Sequence, residues 1–181
     1  MDEGLKPPSL DFGVVIAFVA PGFVAFWAAA YHMPLATAWM AAAADKEQNV
    51  GVFLFVLLAS LSLGLVVSGV RDLVIDNLLR WRFLGKHAVS PLNLDWSKAD
   101  EKKLILLLAV RDNHYRYYQF YSNTLTALIF WAVARALAES PRLSWHYWVL
   151  IIRALIALLL SAREALRRYV AAVAQLIQEK H

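Results

Sequence analysis

Charge is confined to a few stretches of this chain, and the gaps between them are long. No Asp, Glu, Lys or Arg occurs from Phe12 to Ala44, from Val50 to Val70, or from Tyr117 to Ala134. A fourth apolar run, Leu143 to Ala162, carries Arg153 as its one charge, with His146 near its start. A hydrocarbon core about 30 Å thick is crossed by roughly 20 apolar residues at about 1.5 Å each, so every run is long enough to span a bilayer. The expected fold is therefore all-α: a polytopic integral membrane protein with four transmembrane helices, at about 12–32, 50–70, 117–137 and 143–162, in a single domain. Composition agrees, since 60% of the 181 residues are hydrophobic and 18% are charged, against about 25% charged in soluble domains. The mean hydropathy is +0.51.

Orientation follows from the basic residues. Arg71, Arg80, Arg82, Lys86, Lys98, Lys102, Lys103, Arg111 and Arg116 fall between the second and third runs, and Arg163, Arg167, Arg168 and Lys180 follow the fourth. The other connections hold Lys46 and Arg142, with Arg135 at an edge. Segment 71–116 and tail 163–181 are thus expected in the cytosol, and an even number of spans puts the N-terminus there too. A cleaved leader fits the start poorly, because MDEGLK is acidic as well as basic and the apolar run is too long for a signal peptide. A multi-pass location in a plasma membrane of the bacterial inner-membrane type follows. The net charge of +4 and pI near 9.4 then belong to a face near anionic lipid rather than to a nucleic-acid site.

Pro21 lies inside the first run, where it removes one backbone donor and leaves the Ala17 carbonyl without its helical partner. With Gly22 it predicts a kink and a close approach. Ser60, Gly64 and Ser68 recur every four residues in the second run, a face of small side chains suited to helix packing. The segment after Val70 reads as a continuing helix with Asp76 and Arg80 at i,i+4, and Ser97 to Asp100 has the capping-box form ahead of EKKLILLLAV. Ser140-Pro141 opens a last helix that meets no further Pro or Gly, long enough to project below the membrane. Leu166, Tyr169, Val170, Val173, Leu176 and Ile177 give its tail an apolar face that wants a partner.

Arg153 is the intramembrane charge, and such residues usually line a cavity or meet a polar partner. Gln119, Asn123 and Thr126 share one face of the third run, so Asn123 is expected within reach of Arg153. Arg111, His114, Arg116 and Tyr117 crowd the cytosolic entrance of that run and suit lipid headgroups. The chain has no cysteine, and the histidines show no metal-ligand or catalytic spacing, so neither an enzyme, a metal nor a cofactor is expected. The functional expectation is a small homo-oligomer that forms a regulated pore or perturbs the membrane, a toxic or defence effector being one setting, with membrane lipid as a partner. The alternative is a non-conducting anchor or adaptor that recruits a cytosolic protein. An interfacial enzyme acting on lipid headgroups comes third.

Overall fold

The computed structural model describes residues 12–44, 50–77, 101–110, 114–138 and 144–178. Six α-helices account for nearly all of them, with no strand among the described residues: α1 Phe12–Ala30, α2 Pro34–Ala44, α3 Val50–Arg71, α4 Glu101–Val110, α5 Arg116–Leu137 and α6 Trp145–Gln178. α3 runs on through a π-helical turn, Asp72–Asp76. The capping box at 97–100, Arg80 and the Ser140-Pro141 start lie outside the described residues.

α1 is the hub. It packs against α3 on one side and α5 on the other, and α5 in turn packs against α6. The α1–α3 contact is made by small residues. Ser60, Gly64 and Ser68 are all buried along one strip of α3 with Val56 and Val67. A Cβ added to Gly22 would overlap the Ser60 carbonyl oxygen, and one added to Gly64 would overlap that of Phe18. Backbone therefore rests on backbone, which only glycine permits.

Pro21 sits inside α1 and is fully buried. The carbonyl it strands at Ala17 accepts a 2.9 Å hydrogen bond from Asn123 Nδ2 of α5, and Asn123 itself is wholly buried. A side chain on one helix thus replaces the backbone donor missing from another. The proline, the glycine contact and the α5 amide lie at one level of the bundle and join three helices.

Helix ends pair at two opposite poles. At the first, His32 Nε2 donates to the Ala134 carbonyl at 3.0 Å, Trp27 meets Trp131 at 5.8 Å between centroids, and the Arg135 guanidinium lies 5.5 Å from the Tyr31 ring centroid. α2 folds back over this pole, with Ala36 buried and Trp39 stacked 6.3 Å from Phe26 and edge-on 4.3 Å from Phe55. At the second pole, Ile75, Tyr118, Ala162, Ala165 and Leu166 share a cluster, and the Tyr115 and Tyr169 rings lie 5.2 Å apart. α5 and α6 are thus antiparallel neighbours.

The tail's apolar face finds a partner within the chain. Leu166 and Val173 are buried, and Tyr169 and Val170 pack on the same cluster, while α4 lies against α6. The face expected to lack a partner is covered at Leu166 and Val173, where the second-pole cluster and α4 lie against α6. Leu176 and Ile177 fall outside the described side chains.

Much apolar surface stays uncovered. Leu54, Leu58, Leu61, Leu65 and Val66 face outward on α3, as do Leu150, Ile152, Ile156 and Leu160 on α6. Taken singly, one helical stretch among the described residues, Val50–Asp76, is long and apolar enough to cross a membrane; Val15–Ala30 and Pro34–Ala44 are apolar but shorter.

The Asn123 bond has a direct thermodynamic signature. Asn123→Ala should destabilise the protein by about 1–2 kcal/mol, the cost of leaving a buried carbonyl unpaired. In a Pro21→Ala background the residue-21 amide can again reach Ala17, so the same substitution should cost markedly less. A double-mutant cycle by thermal unfolding in detergent should give a coupling of about 1 kcal/mol. Equal costs in the two backgrounds would contradict the assignment.

Candidate functional site

Two polar sites lie side by side at the second pole, one closed and one open. The closed one begins where α3 ends. Arg71 is 1% exposed and Asp76 5%, so a full ion pair is withdrawn from water. Arg71 Nη2 donates to the Asp72 carboxylate, its Nε lies 3.5 Å from Asp76 Oδ1, and its guanidinium sits 5.6 Å from the Tyr118 ring centroid. The Tyr118 hydroxyl donates to Asp76 Oδ1. Tyr118 is itself 1% exposed.

The π turn makes this cluster possible. In a regular α-helix, residues five apart point about 140° away from one another. Widening the turn to i→i+5 bonding brings Asp76 back under Arg71. His114 and Tyr115, at the entrance to α5, also take π-helical geometry. Arg71 Nη1 is buried without a hydrogen-bond partner among the described residues, so the cluster holds an incompletely bonded cation.

The open site is a cavity of about 580 Å³ between the start of α5 and the middle of α6. His114, Tyr117 and Tyr121 line one wall, and Ser161, Glu164 and Arg168 the other. Arg168 Nε donates to Glu164 Oε1 at 2.9 Å, one turn apart on α6. That bond holds the Glu164 carboxyl below the usual carboxylate range.

The intramembrane polar residues expected from the sequence are placed differently. Asn123 is spent on Ala17, and its Oδ1 has no hydrogen-bond partner among the described residues. The expected Asn123–Arg153 bond is therefore not made. Thr126 is buried and donates to the Ser122 carbonyl, as Ser122 does to Tyr118; both satisfy themselves on their own helix. Gln119 is half-buried.

Arg153 is exposed, with no ion pair or hydrogen bond among the described residues. It lies about 180° around α6 from buried Ala162, nine residues on, which explains why it cannot reach α5. Of the headgroup candidates, His114 and Tyr117 line the cavity. Arg116 is half-buried nearby, and Arg111 lies outside the described residues.

Sequence reading missed Arg71, Asp76 and Tyr118. Arg71 counted only as a topogenic charge, and Asp76 was matched to Arg80 on a regular helical repeat. The available signal was an arginine and two aspartates, RDLVID, directly after an uninterrupted apolar run. Among the described residues, no three His, Asp or Glu side chains converge to hold a metal. No protein-family model, curated protein or solved structure matches this chain.

The buried pair predicts an order of effects. Asp76→Ala leaves Arg71 buried with less compensation and should cost about 3–5 kcal/mol. Tyr118→Phe removes one hydrogen bond to a charged group and should cost about 1.5–3 kcal/mol. Replacing both charges, as Arg71→Met with Asp76→Leu, should recover most of the Asp76→Ala loss. Thermal unfolding of the purified variants measures all three, and an Asp76→Ala protein as stable as its parent would contradict the buried pairing.

Proposed function

We propose that the chain is a four-span membrane protein with both termini in the cytosol, acting as a homo-oligomer whose copies meet along the outer strip of α6 and enclose a regulated pore. In this arrangement α1, α3, α5 and the first part of α6 cross the bilayer. The two poles are the two membrane faces, and Arg71, Arg116 and Arg168 lie at the second of them. The outward leucines of α3 and α6 support it, because a monomer in water rarely leaves apolar surface of that extent uncovered. α5 is too polar to pass as a span singly, but the bundle buries its Asn123, Ser122 and Thr126, so their polarity is hidden from lipid.

Arg153, exposed and without an ion pair or hydrogen bond among the described residues, is the observation that carries the oligomer. One turn on, Ile156 and Ala157 are also exposed beside it. An arginine facing lipid at mid-span costs about 2.5–3.5 kcal/mol on insertion scales, and facing a shared water path removes that cost. A ring of Arg153 favours anions, and Ile156 beside it forms the kind of apolar constriction that closes by dewetting.

A non-conducting anchor or adaptor is the alternative, favoured by the closed interior of a single copy. Asn123, Ser122 and Thr126 are buried and donate their hydrogen bonds within the bundle. The basic cytosolic pole would then recruit a protein partner.

Arg153 separates the two. In liposomes, Arg153→Leu should abolish or reverse the anion preference of the flux, and Arg153→Lys should keep its sign, both variants unfolding at temperatures close to the parent. Absence of flux for the parent in every state tested, together with binding of a cytosolic protein, would contradict the pore and leave the anchor.

A further inference from the structure

The open cavity at the second pole has features that the pore does not use. Its lining changes character along its length. α5 and α6 are antiparallel here, so Tyr121 and Leu160 come from the apolar ends of the two walls and His114 and Arg168 from the polar ends. Ala165 adds an apolar patch to the floor. A site that is apolar at one end and polar at the other suits an amphiphile. On the four-span arrangement, on which this inference rests, the cavity opens at the boundary between hydrocarbon and cytosol.

The charges on its walls narrow the ligand further. Glu164 and Arg168 have opposite signs, so their charges offset each other within the lining. A simple anion drawn to Arg168 meets the Glu164 carboxylate beside it. A ligand with both signs satisfies each. The Glu164–Arg168 pair is exposed, and such pairs contribute little by themselves, so a ligand with the matching charge pattern can open it at small cost. Glu164 with the faces of Tyr117 and Tyr121 is a recognition set for an ammonium group. Arg168, Ser161 and His114 supply donors for phosphate oxygens.

We propose that this cavity binds the headgroup of a zwitterionic phospholipid, the phosphate on Arg168 and the ammonium on Glu164 between the tyrosines, with the start of the acyl chains against Leu160. The lipid is a bound component of the protein rather than a substrate.

Native mass spectrometry of the full chain released from nanodiscs with equal phosphatidylethanolamine and phosphatidylglycerol tests the site. The parent should retain phosphatidylethanolamine over phosphatidylglycerol by roughly fivefold or more, the scale of one charge-assisted contact. Glu164→Gln should erase that preference, and Arg168→Gln should weaken retention of both lipids. Arg167→Gln, exposed but outside the cavity lining, should change nothing. Soluble glycerophosphoethanolamine should compete poorly; competition at equal affinity would point to a free headgroup compound and overturn the lipid assignment. Equal retention of the two lipids by the parent, or a preference that survives Glu164→Gln, would overturn the site. Failure of the chain to enter nanodiscs would overturn the four-span arrangement and the site with it, whereas entry without lipid preference overturns the site alone.

Discussion

A proline inside an apolar helix strands a carbonyl, and in this chain the stranded group is met by an amide from another helix. The Ala17–Asn123 bond is small in energy, yet the bundle is arranged around it. Gly22, next to the proline, and Gly64 opposite let α1 and α3 touch backbone to backbone, and Asn123 brings α5 to the same level. Were the carbonyl left unpaired at this depth, in protein or in lipid, it would cost more than its hydrogen bond returns. The stranded carbonyl and the side chain that meets it form one structural unit.

The second pole solves a different problem. Where α3 leaves its apolar stretch, charge begins abruptly with Arg71, and the π turn folds Asp76 back to meet it. Tyr118 closes the cluster with its ring against the guanidinium and its hydroxyl on the carboxylate. Buried pairs of this kind add little net stability over apolar replacements but make partial removal costly. They fix how α3 meets α5 and α6, and so shape the cavity alongside. The proposed membrane arrangement, pore and lipid site all depend on this pole facing the cytosol.

The helical class was legible in the sequence, because apolar runs separated by charged segments leave few other solutions. The small-residue face at Ser60, Gly64 and Ser68 was visible from its four-residue repeat, and so was the carbonyl stranded by Pro21. What could not be read was which side chain answers that carbonyl, since Asn123 is distant in sequence and one helical wheel does not give the partner of its polar face. Arg153 attracted attention for its depth, but an angular position on α6 means nothing until the packed face is known. The Arg71–Asp76 pair was hidden by an assumption of regular helix, because a π turn changes which residues share a face. The tail's apolar stripe was correctly seen as needing cover, but the packing of α4 and the second-pole cluster against α6 is a tertiary event with no local signature.

The central claim is that the two poles lie on opposite sides of a membrane, with the outward face of α3 in lipid between them. The chain contains no cysteine, so single cysteines can report each location in sealed right-side-out membrane vesicles treated with a membrane-impermeant maleimide. Met33→Cys, exposed at the first pole, should label directly. Asn77→Cys, exposed at the second, should label only after the vesicles are opened, and Leu58→Cys, on the outward face of α3, should resist labelling in both conditions. Labelling of Met33→Cys and Asn77→Cys from the same side, or ready labelling of Leu58→Cys, would contradict the account.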